Sequence, residues 1–184
     1  MATKKITIQT FHPGKASRLG EKFGTLSETR KKLGLGAHRG LDYTFQEGTQ
    51  LVAVGSGVVK NIGHTNILGY FIEHSITVLN AGKREFRIVG YYHLKEDQSK
   101  KWKVGDKVVG GEPIALSGNT GTASSGAHLH LMMGKTDNLA TSPVEDPLPF
   151  IEATLTPVEV EVTLQEKPAN ETPAKKAPSK PAKK

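Results

Sequence analysis

The chain has 184 residues, a formal net charge of +7, no cysteine and 36% hydrophobic residues. Without cysteine, disulfides and thiolate metal sites are excluded, and no apolar run approaches the 18 or so residues of a membrane span. The usual globular share of roughly 45–50% also counts Gly; with its 20 glycines this chain comes up to that range, and apolar residues are sparsest at one end.

The opening "MATKKITIQTF" has two lysines but no apolar stretch behind them. It does not read as a secretory signal, so the expected location is the cytoplasm of the producing cell. In "LSETRKKLG", Ser27 can cap a short helical turn that ends at Gly34, with Lys31 and Lys32 near its C-terminus. From Leu41 the signals are those of β structure. "TQLVAVGSGVVKNIG" holds β-branched runs split by Gly55 and Gly57, and "GYFIEHSITVL" is the next strand. "NAGK" (80–83) predicts a hairpin turn, because Asn and Gly tolerate positive φ, and "EFRIVGYYHL" returns as the partner strand. "VGDKVVGGEPIALSG" adds two short strands, and "AHLHLMM" is the last good one. Short strands separated by frequent turns predict an all-β sandwich or barrel.

From Ala153 the chain thins towards "EKPANETPAKKAPSKPAKK", with no aromatic residue. Such a composition cannot bury enough apolar surface to offset the entropy of ordering. Residues 153–184 are therefore expected to be a disordered tail, and residues 1–152 a single domain. The tail's six lysines against four glutamates leave +2, so +5 belongs to residues 1–152. The last twelve residues carry five lysines and no acid. This charge attracts polyanions such as acidic wall polymers. No aromatic residues interleave with the lysines, so nucleic acid is not an expected partner. A monomer is expected.

Chemistry concentrates in the seven histidines. In "GAHLHL", a strand turns His128 and His130 to one side and Leu129 and Leu131 to the other, with the two histidine Cα atoms about 7 Å apart. Both imidazoles can reach one small object: a metal, a substrate, or nothing. "HRGLD" offers His38 and Asp42, about 13 Å apart on a straight strand. They converge only if the chain bends at Arg39–Gly40, which a glycine permits. "YYHL" places His93 on another strand, and strict alternation puts Tyr91 on its face and Tyr92 on the other. Two imidazoles and one carboxylate suit a catalytic zinc site with an open position, and imidazole favours Zn²⁺ over Mg²⁺ or Ca²⁺. Two further histidines then remain for acid–base work. His12, His64 and His74 read as packed or surface residues, with His74 placed on the exposed side of its strand. "GNTGTASSG" lacks the lysine of a phosphate loop. The turn "VGDKVVGGEPIA" is similar to lipoyl-type carrier domains, but no lysine stands at the tip of a matching hairpin.

In this order, "HRGLD", "GTQLVAVGSGVV", "YYHL", "VGDKVVGGEPIALSGNTG" and "GAHLHL" make a chain that resembles the lysostaphin-type (LytM-like) zinc endopeptidases of bacterial peptidoglycan. The resemblance runs from about Phe23 to Ile151 and is poor over residues 1–22. It implies a compact antiparallel β-sheet domain with a loop-walled groove. It implies Zn²⁺ held by His38, Asp42 and His130, with His93 and His128 catalytic and not metal-bound. Tyr91 is a candidate for a hydrogen bond to substrate; a packed aromatic is the favoured reading. The implied substrate is the peptide cross-link of peptidoglycan. The expected setting is a phage endolysin that reaches the wall after membrane breach. A virion-associated wall-penetration protein and a non-catalytic wall-binding module are the alternatives, and the complete set of five residues speaks against the latter.

Overall fold

The computed structural model of the protein describes residues 3–15, 18–32 and 34–163. The long β signal between residues 69 and 94 forms its spine. Strands β6 (Gly69–Asn80) and β7 (Lys83–Leu94) make one antiparallel hairpin, joined through Ala81 and Gly82 at φ 48° and 76°. The expected turn is there, but its two positive-φ residues are Ala81 and Gly82, while Asn80 pairs with Lys83.

Around this hairpin the other strands add by antiparallel pairing. The remaining elements before it are β1 (Thr3–Ile8), β2 (Arg18–Leu19), helix α1 (Glu28–Lys32), β3 (Leu41–Thr44), β4 (Gln50–Val52) and β5 (Gly57–Thr65). After it come β8 (Lys107–Val108), β9 (Pro113–Leu116), β10 (His128–Gly134), β11 (Val144–Glu145), helix α2 (Leu148–Glu152) and β12 (Val158–Thr163). The main sheet has eight strands in the order β2-β3-β10-β7-β6-β5-β8, with β11 paired to β10; β4–β9 and β1–β12 are separate pairs. The all-β antiparallel expectation holds. Helix α1 begins after Ser27, whose hydroxyl accepts from the Arg30 N–H at 3.4 Å, and Gly34 follows it at φ 66°.

The two faces of the main sheet are covered differently. On one, Leu41, Ile72, Ile76, Val89, Tyr91, Leu129, Leu131 and Met133 join β4, β9 and helix α2 in the main core. On the other, Phe71, Ile88, Tyr92, Met132 and Leu139 form a smaller cluster. His128 and His130 share the parity of Met132 on β10, and so lie on this second face.

Three expectations need correction. The tail does not begin at residue 153: Thr154 is fully buried, its carbonyl accepts from Thr10 N–H, and β12 pairs with β1 along six residues. The alternating "VEVEVT" has a strand's period, and β1 satisfies its backbone groups. The rest of the expected tail, 164–184, lies outside the described residues. His74 is not on an exposed side but fully buried. Its Nδ1 lies 3.0 Å from the Ser75 carbonyl, and its Nε2 lies 3.2 Å from the Tyr91 hydroxyl. That hydroxyl also accepts from Val54 N–H at 2.8 Å. Tyr91 is therefore a core residue, as the packed reading had it, and does not line a groove. It does not share a face with His93 either, because the strand bulges just beyond it.

Burial pulls His74 down to about 4, against a small opposing pull from the Ser75 carbonyl. An unfolded histidine titrates near 6.5. Between those values the unfolded chain binds more protons, so stability rises with pH there. His74's contribution, about 3 kcal/mol, is fully present above about pH 6.5 and is lost as pH falls through about 4. Urea unfolding at a series of pH values should show a shallower dependence over that window for His74→Gln than for the parent chain. Identical slopes would contradict this account of the core.

Candidate metal centre

The site begins with one strand pairing. In the register of β3 against β10, Asp42 lies directly opposite His130, and Thr44 opposite His128. Directly opposed Cβ atoms lie about 4.5–5.5 Å apart on one face, so the carboxylate and imidazole meet without any special turn. His38 reaches them through the bend that Gly40 was expected to allow. A Cβ at Gly40 would stand 2.5 Å from the Leu131 carbonyl oxygen and 2.7 Å from Cε1 of His130. The glycine thus serves close approach: the chain passes hard against β10 and the His130 ring, where any side chain would intrude.

The segment before the motif holds the bend from the other side. The His38 N–H donates to Thr25 O at 2.8 Å, and Gly24 N–H donates to His38 O at 2.8 Å. Asp42 N–H donates to Glu21 O at 3.0 Å, and Gly20 N–H to Asp42 O at 2.8 Å. Residues 20–25, which overlap the poorly matched N-terminal stretch, are therefore part of the site.

His38 Nε2, His130 Nδ1 and Asp42 Oδ1 converge. The separations are 3.0 Å between the two nitrogens, 3.2 Å from His38 to Asp42 and 2.9 Å from His130 to Asp42. His38 Nδ1 lies 3.1 Å from the Lys22 carbonyl, so its proton belongs there and the lone pair of Nε2 points into the cluster. Three acceptors this close repel unless a proton or cation sits among them. Donor atoms about 2.0–2.1 Å from a tetrahedral Zn²⁺ are about 3.3–3.4 Å from one another, so the cluster needs only a slight expansion to hold the ion. The residues fit the metal. His38, Asp42 and His130 are the one such group of three among the described residues.

The charges respond as a unit. Burial would raise the Asp42 carboxyl, but the adjoining His130 and His38 rings, which stabilise its charge when they carry a proton towards it, outweigh burial and hold Asp42 well below the usual carboxylate range. Burial would lower His38, but Asp42, the Lys22 carbonyl and Glu21 together raise it. Burial lowers His130, with Asp42 opposing and His38 and His128 adding to the effect.

The other two histidines stand beside this cluster. His128 Nε2 is 3.9 Å from Asp42 Oδ1, while its Nδ1 lies 2.7 Å from the Gly126 carbonyl and 3.2 Å from Ser124 Oγ. His93 is placed by a bulge. Tyr70 pairs with Leu94 and Ile72 with Tyr91, so Tyr92 and His93 together oppose one residue, and His93 takes φ 60°. The bulge turns His93 to the face of Tyr92. Its ring centroid lies 4.7 Å from that of His128 and 5.8 Å from that of His130, and Tyr92 is 5.9 Å from His130. His93 N–H donates to Leu68 O at 2.9 Å, and its Nδ1 lies 2.7 Å from Thr120 O. Burial pulls His93 down to about 4, with the Thr120 carbonyl opposing.

His93 is also what ties two loops into one wall. Thr122 and Ala123 donate to Asn66 O and Ile67 O at 2.8 and 3.1 Å. Thr120 Oγ1 accepts from Tyr70 N–H at 3.1 Å. Ile67 in this wall and Leu26 in the segment before the motif are exposed apolar residues. His12 and His64 are exposed, and His64 rests on Tyr70 with ring centroids 4.7 Å apart. Sequence reasoning did not find Tyr92, nor the carbonyls of Lys22, Thr120 and Gly126. Backbone acceptors leave no trace in residue type, and the bulge reversed the faces of Tyr91 and Tyr92.

Replacing Gly40 by Ala should displace His130 or the Leu131 peptide and weaken zinc binding by at least about tenfold, as loss of a supporting partner does. Chelator competition measures it, and unchanged affinity would show that the bend is not under steric constraint.

The family model described as peptidase family M23 matches residues 36–143. The chain is 31% identical over 118 residues to the glycyl-glycine endopeptidase ALE-1 of Staphylococcus capitis, covering 64% of this chain and 30% of that protein. It is 36% identical over 96 residues to the peptidoglycan DD-endopeptidase ShyC of Vibrio cholerae, covering 51% of this chain and 19% of that protein. It thus spans less than a third of the length of these curated relatives. The catalytic domain of lysostaphin from Staphylococcus simulans superposes with a TM-score of 0.57 at 29% identity, over 73% of this chain and 92% of that one. With Asp42 and His130 on paired strands, His38 brought to them by the bend before β3, and a match across more than half its length, the chain belongs to peptidase family M23, whose members are zinc-dependent metallopeptidases.

Proposed function

We propose that this protein is a zinc-dependent endopeptidase that hydrolyses peptide bonds in the cross-links of bacterial peptidoglycan. The observation that carries the reading is a metal-fitting triad with two further histidines, His93 and His128, whose site-facing nitrogens are both left as acceptors. The activities for which the Staphylococcus capitis and Vibrio cholerae relatives are named support the substrate class.

His38, Asp42 and His130 would hold the ion. Zinc, when bound, supplies a Lewis acid that polarises a carbonyl and lowers the pKa of water from near 16 towards about 7. The chain's own residues do the rest. The carbonyls of Thr120 and Gly126 take the Nδ1 protons of His93 and His128, leaving each Nε2 with a lone pair. Burial keeps His93 neutral near pH 7. One of these rings accepts the proton of an attacking water. Once protonated, it donates to the developing oxyanion and then to the leaving amine. Asp42 would cancel one of the two charges of a bound ion and so leave the site positive towards the oxyanion. An extended peptide would lie among the loops nearest the cluster, at 20–26, 65–69 and 119–126.

We extend the reading to a phage endolysin. The net charge of +7 supports it, because a positive protein collects on an anionic wall. If so, cells producing it remain intact until chloroform breaches the membrane and then lyse; lysis without breach would count against that setting.

His93→Ala and His128→Ala should each keep zinc affinity within a few fold while kcat falls about 10²–10⁴-fold. Purified walls digested with and without a chelator, and analysed for new amino termini by mass spectrometry, should release peptides only when zinc is present. Activity that survives both the chelator and His128→Ala would contradict the proposed chemistry.

A further inference from the structure

Between β10 and β11 the chain lays residues 138–142, "NLATS", over the second face of the sheet beside the metal cluster. Two charged side chains grip this loop from opposite sides. From one side, Arg39, the residue after the ligand His38, donates to the carbonyls of Leu139 at 2.9 Å, Ala140 at 2.8 Å and Ser142. From the other, the fully buried Glu73 of β6 accepts from the N–H groups of Asn138 and Leu139, each at 2.9 Å. Glu73 also accepts from the Tyr92 hydroxyl and from Asn61 Nδ2 at 3.3 Å.

This arrangement is chemically specific. The guanidinium is committed to three carbonyls, and the carboxylate to amides and a phenol. The peptide dipoles between them lie with oxygens towards the cation and N–H groups towards the anion, so each charge is solvated by the loop. Glu73 is fully buried and Arg39 half-buried; removing charge from water is costly unless it is met by polar partners, and here the peptide groups of the loop meet both side chains. Both ends of the chain of contacts touch the metal cluster. Arg39 lies inside the His38–Asp42 bend. Tyr92, whose hydroxyl Glu73 fixes, rests its ring 5.9 Å from that of His130 and 5.4 Å from that of Phe71.

We propose that Arg39 and Glu73, acting through residues 138–142, are positioning residues for the metal ligands: Arg39 holds the bend that presents His38 and Asp42, and Glu73 holds the tyrosine that backs His130. The proposal rests on the assignment of His38, Asp42 and His130 as ligands. Neither residue touches substrate. Their work is to keep three mutually repelling acceptors close together before the ion arrives.

The test measures zinc affinity by chelator competition, well below the melting temperature, for the full chain and for Arg39→Gln, Glu73→Gln, the double variant and Arg39→Lys. Outer partners of metal ligands typically contribute 10–100-fold to affinity, so each single variant should bind zinc at least about tenfold more weakly. The double variant should be little worse than either, because both act through one loop. Arg39→Lys keeps the charge but not the planar fork; it should fold and still bind zinc more weakly than the parent. With zinc saturating, kcat and KM should return towards the parent values. A lowered melting temperature with zinc affinity unchanged within twofold would overturn the proposal and leave the residues as fold stabilisers only. Failure of Arg39→Lys to fold would overturn it in the same way. Failure of the parent chain to bind zinc would instead refute the ligand assignment itself.

Discussion

Two imidazole nitrogens and a carboxylate oxygen held 2.9–3.2 Å apart are the constraint on which this structure turns. Without a proton or cation among them they repel; a divalent cation there would turn that repulsion into attraction. Much of the local architecture is legible as the means of bringing them together. The β3–β10 register sets Asp42 against His130. Gly40 lets the chain close over β10 without a side chain in the way. The backbone of residues 20–25 and the carbonyl of Lys22 fix the orientation of His38.

A second constraint shapes the neighbouring histidines. The chemistry proposed for them needs a lone pair facing the site, and main-chain carbonyls provide it by binding the other ring nitrogen. His93 comes into position through a β-bulge at a left-handed φ, a conformation uncommon for a residue with a Cβ. Ordinary alternation just before the bulge separates two polar networks that adjoin in sequence. Tyr91 turns into the main core to meet His74 and Val54, while Tyr92 turns to the metal face to meet Glu73. One dipeptide therefore serves stability on one side of the sheet and the site on the other.

The strands were legible because their alternation and turn residues are local signals, and the hairpin at 80–83 and the helix at 28–32 fell where those signals put them. The convergence of "HRGLD" with "GAHLHL" was legible only as a condition, a bend at Gly40, which the structure meets. What stayed hidden was non-local. No residue type announces a bulge, so strict alternation assigned Tyr91 to the face that Tyr92 occupies. His74 read as exposed because its partner, a hydroxyl 17 residues on, is visible only once β6 and β7 pair. The strand at 158–163 looked like part of a tail because its pairing partner is β1, at the far end of the described chain. Burial and pairing, more than composition, decided these cases.

X-ray absorption at the zinc edge, on the chain loaded with one equivalent of Zn²⁺, tests the central claim most directly. The ligand set of His38, Asp42 and His130 requires a first shell of two imidazole nitrogens, with the remaining donors oxygen. A shell of three or four imidazoles would mean that His93 or His128 binds the ion, and the separation of metal-holding from proton-moving histidines would then be wrong.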